Sequence, residues 1–139
     1  MKKDDCIFCK IANGEIPSNT VYEDEEFRAI LDLSPAGEGH TLILPKNHYE
    51  DALSADDETV ERVFETAVKV GRGIKKALNC DGINIVQNNG EAAGQTVHHL
   101  HVHIIPRYAS ETEKIVTWVQ HESKPERQAE IEELIKSNL

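Results

Sequence analysis

Apolar residues follow two spacings along this chain, and the change from one to the other marks its elements. Residues 20–24 and 27–32 alternate around Asp24-Glu25-Glu26 and predict a hairpin. Residues 40–45 predict the next strand and residues 82–88 another. The strictest alternation is His99-Leu100-His101-Val102-His103-Ile104-Ile105, closed by Pro106 and Arg107. A strand throws successive side chains to opposite faces, so His99, His101 and His103 are expected on one face and Leu100, Val102 and Ile104 on the other. Imidazoles two residues apart on a strand lie roughly 6.5–7 Å from each other. That is too far for a direct hydrogen bond and close enough to serve one bound group, a metal or a phosphate.

Elsewhere the spacing turns helical. Val60, Val63, Phe64, Ala67, Val70, Ile74, Ala77 and Leu78 recur at three- and four-residue steps and predict one long helix to about residue 78, with Ser54 as its cap and acids in the first turn. Residues 5–12 predict a short helix or turn that carries Cys6 and Cys9 and ends at Asn13-Gly14. A further strand is expected over 115–119. Ser123-Lys124-Pro125-Glu126 has the form of a capping box that opens a terminal helix with Ile131, Leu134 and Ile135 turned inward. Residues 34–39 and 89–96 are loops by composition, and the small residues of the second would let its backbone amides approach a phosphate. Strands joined by hairpins, with helices segregated from them, predict an α+β domain on a mainly antiparallel sheet, with one long helix and a C-terminal helix. No repeat or linker divides residues 1–139, which read as a single domain.

Charge narrows the chemistry. A net charge of −10 disfavours a nucleic-acid backbone, so phosphate recognition is expected to be local, in a pocket for a small nucleotide. No apolar run approaches the ~20 residues of a membrane span and no signal-peptide core follows Met1, so a cytoplasmic protein is expected. The three cysteines, two of them as Cys6-x-x-Cys9, speak for thiols or a metal rather than disulfides.

The triad stretch resembles the signature of the histidine triad (HIT) family of nucleotide hydrolases and transferases. The resemblance runs from about Cys6 to Arg107. It is carried also by residues 7–11, Glu15-Ile16-Pro17, Asp32-Leu33-Ser34-Pro35, residues 39–46 and residues 94–99, and is strongest to the bacterial, Hint-type branch. It implies the HIT-like fold. It implies that Asp32 holds the ribose hydroxyls, although an Asp before Leu-Ser-Pro is also a common turn cap. Phe8, Ile11, Ile16 and Ile30 would form an apolar slot for the base. Asn88, Gln95 and Thr96 would contact the α-phosphate or leaving group, with His40 near them.

The same resemblance implies a structural zinc on Cys6, Cys9, His48 and His99, and a homodimer in which the long helix and a strand pair across a two-fold axis. The implied activity is cleavage at the α-phosphorus of purine nucleoside phosphoramidates, like that of an adenosine 5'-monophosphoramidase. His101 would attack and become nucleotidylated. His103, and His99 where zinc does not engage it, would donate to the phosphate oxygens, Thr96 would guide a proton to the departing amine, and no Mg2+ would be required. A diadenosine polyphosphate hydrolase and a non-catalytic purine-nucleotide or zinc-binding module would use the same residues, and both stay open. A His-metal oxygenase-type site would need a carboxylate that the triad strand lacks.

Overall fold

The computed structural model describes residues 1–114 and 116–139. Its elements in chain order are α1 (Ile7–Ala12), β1 (Thr20–Glu23), β2 (Phe27–Leu31), β3 (Thr41–Pro45), α2 (Asp57–Leu78), β4 (Gly82–Val86), β5 (Val102–Arg107) and α3 (Pro125–Lys136). The strands form one five-stranded sheet in the order β1-β2-β3-β5-β4, with every neighbouring pair antiparallel. The α+β class and the mainly antiparallel sheet expected from the pattern are what the structure has.

Alternation along the strands divides the core in two. Phe27, Ala29, Ile43, Val102 and Ile104 turn to one face and pack on Val63, Ala67 and Val70 of α2. Ile30, Leu42 and Leu44 turn to the other, where Phe8, Ile11 and Ala12 of α1 cover them. Strand β3 lies between the two layers, and all of its residues are buried. Each fully buried aliphatic side chain contributes about 1.5–3 kcal/mol, so β3 is the strand the domain can least afford to lose. In register His103 stands opposite Leu42 and Val86, which places it on the α1 face.

The structure departs from the sequence pattern in several places. The triad strand begins at Val102 rather than His99. Upstream of it the backbone bonds to a loop, with Leu100 N–H donating to Tyr49 O at 2.7 Å and His99 N–H to Val97 O at 2.9 Å. Helix α2 is capped by Asp56, whose side chain accepts from Thr59 N–H. Ser54 instead exchanges hydrogen bonds with Asp51 in the preceding turn. The inward face of α2 is Val63, Thr66, Ala67, Val70 and Gly71, so Phe64 lies 57% exposed on the flank of the apolar stripe. At the C-terminus, α3 has no buried residue: Ile131 is half-buried, and Leu134 and Ile135 are exposed rather than turned inward. Its N-cap is Lys124 without a side-chain bond, so Pro125 rather than a capping box starts it. Of the strand expected over 115–119, Ile115 lies outside the described residues, and 116–119 are irregular, with Trp118 and Val119 exposed.

Candidate active site

The α1 face of β5 and the segment before it carry a row of imidazoles. His101 Nδ1–H donates to the carbonyl of His99 at 2.6 Å, and its ring meets Phe8 edge-on at a centroid distance of 5.1 Å. A neutral imidazole with Nδ1 protonated has its lone pair on Nε2, so His101 presents a free nucleophilic nitrogen. Burial lowers its pKa, opposed by the His99 carbonyl and the charge of Asp32. The His101 and His103 ring centroids are 5.0 Å apart. That is closer than strand spacing alone gives, because His101 lies before the strand.

His103 belongs to a second group. Its Nδ1 is 2.9 Å from His40 Nε2, and His40 Nδ1 accepts from Ala36 N–H at 2.9 Å. Asp32 Oδ2 is 3.7 Å from His40 Nε2, while Oδ1 accepts from Ser34 N–H at 2.8 Å. The carboxylate missing from the triad strand is thus supplied from the end of β2, and its second oxygen serves a turn as well. Burial holds His103 down to about 4, with the His101 and His40 rings adding to the effect and Asp32 opposing it. Burial lowers His40 too, against Asp32. Both rings are therefore neutral near pH 7.

On the other side of His101, Cys6, Cys9, His48 and His99 offer ligand atoms that all lie within 4.8 Å of one another. His99 Nε2–H donates to Pro45 O at 2.9 Å, which leaves the lone pair on Nδ1, the atom that points at the sulfurs. The separations from Cys6 Sγ to His99 Nδ1, Cys9 Sγ to His48 Nδ1 and Cys9 Sγ to His99 Nδ1 are 3.4, 3.4 and 3.5 Å. A tetrahedral zinc with ordinary Zn–S and Zn–N bonds has S···N edges of about 3.5 Å. Lys3 N–H donates to Cys9 Sγ and Cys9 N–H to Cys6 Sγ, both at 3.3 Å, as the outer shell of a thiolate site requires. The donor set fits a tetrahedral cation, and these four residues form a cluster that can hold one. With both ring nitrogens engaged, His99 reaches the reacting region through its carbonyl rather than its ring.

The remaining expected residues divide. Phe8, Ile11 and Ile30 meet in one apolar cluster beneath α1. Ile16 is half-buried outside that cluster, and Thr96 is exposed. Asn88 is half-buried and lies under Gly94, where an added Cβ would stand 3.6 Å from Asn88 Nδ2. Gln95 is 3% exposed, and its side-chain amide is engaged by backbone groups. Its Oε1 accepts from Gly90 N–H, and its Nε2 donates to Glu50 O and Val97 O at 2.8, 2.7 and 3.1 Å. Gln95 therefore holds the 90–97 loop in shape. Ala36 N–H and Pro45 O, which assign protons to His40 and His99, are backbone groups with no side-chain signal. Only the tight turn of residues 34–39 hinted at the first.

A HIT domain profile matches residues 13–110. "Protein hit" of Bacillus subtilis is 43% identical over 138 residues, 98% of this chain and 95% of that one. "Adenosine 5'-monophosphoramidase HNT1" of Saccharomyces cerevisiae is 39% identical over 118 residues, 85% of this chain and 72% of that one. A crystal structure from Streptococcus mutans UA159 superposes with a TM-score of 0.93 at 44% identity, covering 99% of this chain and 87% of that one. With the fold and the His-φ-His-φ-His signature, these matches make the chain a member of the HIT family.

Proposed function

We propose that this protein is a nucleotide hydrolase that cleaves the P–N bond at the α-phosphorus of purine nucleoside phosphoramidates. The observation that carries this reading is His101, with Nδ1–H pinned to the His99 carbonyl and Nε2 free. The yeast relative named as an adenosine 5'-monophosphoramidase supports the substrate class.

In the first step the His101 Nε2 lone pair attacks phosphorus, the P–N bond to the amine breaks, and the leaving nitrogen takes a proton that the exposed Thr96 hydroxyl passes on from solvent. The imidazolium formed keeps its Nδ1–H on the carbonyl of His99. In the second step water attacks the same phosphorus and gives up a proton to solvent, the P–Nε2 bond breaks, and the nucleoside monophosphate leaves while His101 returns to neutral. His103 donates a hydrogen bond to a non-bridging oxygen as charge builds there. These residues complete both steps without Mg2+. Asp32 holds the ribose, Phe8, Ile11, Ile16 and Ile30 hold the base, and Asn88 borders the phosphate.

Cys6, Cys9, His48 and His99 would hold zinc, whose contribution is to fasten α1 to the segment that carries His101. A homodimer fits this reading: β4 pairs only with β5 among the described residues, and Ile85 on it is 37% exposed. Among the described residues no helix is long and apolar enough to cross a membrane, in keeping with a cytoplasmic enzyme.

The test is kcat/KM over adenosine phosphoramidates, diadenosine polyphosphates and adenylated amino acids, with the mass in solution taken by light scattering. Highest values for phosphoramidates are expected. A preference for the polyphosphate anhydride would replace the substrate class, and tight binding with no turnover would make the protein a binding module.

A further inference from the structure

We infer that His40 is a positioning residue that fixes the tautomer of His103, so that His103 always presents Nε2–H to the bound phosphate. The inference rests on the reading above for what His103 does, but the proton assignment itself is a property of the resting protein.

The Ala36 backbone amide is a donor at every ordinary pH. Ala36 N–H donates to His40 Nδ1 at 2.9 Å. That nitrogen must present a lone pair, so a neutral His40 carries its proton on Nε2. His40 Nε2 is 2.9 Å from His103 Nδ1, and the proton lies between them, donated by His40. His103 Nδ1 is thereby an acceptor, and its own proton sits on Nε2. The reverse assignment would put His40's proton on Nδ1 and set two N–H groups face to face at 2.9 Å. An unpaired buried donor costs about 1–3 kcal/mol, enough to hold the chain in one direction.

The scaffold around His40 is built to keep this geometry. Its ring is 6% exposed. Its backbone is bonded at both ends, with His40 N–H donating to Gly37 O at 3.1 Å and His40 O accepting from Asp32 N–H at 2.9 Å. Gly39 turns the loop at φ +86°, where a Cβ would lie 2.4 Å from Leu78 Cδ1, so α2 closes down on the turn that presents Ala36 N–H.

Asp32, His40 and His103 also meet the spacing of a metal site. A cation there would need lone pairs on His40 Nε2 and His103 Nδ1 together. That moves the His40 proton to Nδ1, against the amide of Ala36. The three residues therefore form a proton-ordered chain, with the Asp32 carboxylate at 3.7 Å compensating the polarised His40 N–H.

The test pairs two substitutions with one spectrum. His40→Asn keeps an acceptor near Ala36 N–H but loses the donor to His103, whereas His40→Gln keeps the donor. The 15N shifts of the imidazole nitrogens at pH 7 are expected to show His103 protonated on Nε2 in the wild type and in His40→Gln, and as a mixture of tautomers in His40→Asn. With an adenosine phosphoramidate, kcat is expected to fall about 10²-fold in His40→Asn with KM little changed, and to recover in His40→Gln. Wild-type His103 protonated on Nδ1, or full activity in His40→Asn, would overturn the inference. Absence of wild-type turnover with the Nε2–H signature intact would instead defeat the functional reading and leave the proton assignment standing.

Discussion

Two imidazole clusters flank His101, and they follow opposite rules. In the Cys6–Cys9–His48–His99 cluster, the Pro45 carbonyl takes the His99 Nε2 proton and backbone amides donate to both sulfurs, so lone pairs converge on one point. In the Asp32–His40–His103 cluster, one backbone amide supplies a proton at the far end, so donor and acceptor alternate along a line. Converging lone pairs suit a cation, and alternating donors and acceptors suit an ordered hydrogen-bond chain. Residue types alone do not distinguish the two clusters. The backbone partner of each histidine does.

The comparison is broken most severely at the residue between the clusters. His101→Ala is expected to lower kcat by about 10⁴-fold or more while nucleotide binding persists, read by steady-state turnover and calorimetry. Near-normal turnover would remove His101 from the nucleophile's place.

Next in size is the Cys6–Cys9–His48–His99 cluster, for which we propose zinc. Cys6→Ser with Cys9→Ser is expected to abolish a zinc content of about one per chain, measured by elemental analysis of protein purified without chelator. At zinc a thousandfold above its Kd, metal binding stabilises the fold by about 4 kcal/mol, so the loss should lower Tm by roughly 10 °C. His40→Gln, in the other cluster, should leave the metal content unchanged.

Gln95→Leu tests the loop that leads into the row. It leaves Gly90 N–H and Glu50 O without their partner, while Val97 O keeps the bond from His99 N–H. Leaving buried polar groups unpaired costs about 1–3 kcal/mol each, less where water reaches them, so a loss of roughly 3 kcal/mol is expected from urea unfolding.

Acidification acts on both clusters, since burial holds His99 as well as His103 down to about 4. His103 titrates at about 4 in the native state against 6.5 ordinarily. Between those values the unfolded chain binds more protons than the native one, so stability rises with pH across the window and is lost as pH falls from 6.5 toward 4. His103→Ala should flatten the dependence of the urea midpoint on pH over that window, and an unaltered slope would show that other groups set it.

Much of the fold was written in the alternation. The hairpin, β3, β4 and α2 follow from apolar spacing, because each buries one face on a neighbour that the chain itself supplies. Helix α3 shows where such reasoning stops. Ile131, Leu134 and Ile135 have the spacing of an inward face, yet Ile131 is only half-buried and Leu134 and Ile135 are exposed. Phe64 and Ser54 were misplaced for a related reason. An apolar stripe says that a helix packs, while the partner surface decides its rotation, and two competing caps two residues apart are separated only by the turn in which Ser54 is already bonded to Asp51. At the site, residue identities were legible from the signature and the Cys pair. Proton positions were not, because they are set by the Ala36 amide and the carbonyls of Pro45 and His99, which any residue type would supply. Gln95 was assigned to the phosphate by the family resemblance, and its three backbone partners lie in chain segments that the local sequence does not bring together.

The central claim is that His101 Nε2 attacks phosphorus directly. Its most direct test is an alkaline quench during turnover of an adenosine phosphoramidate, followed by intact-mass measurement, since a phosphorus–imidazole bond survives alkali and breaks in acid. The account predicts one added nucleoside monophosphate per active chain, located on His101 by peptide mapping and absent from His101→Ala. Steady turnover with no nucleotidylated chain at any quench time would contradict it, and would leave His101 as a general base for water.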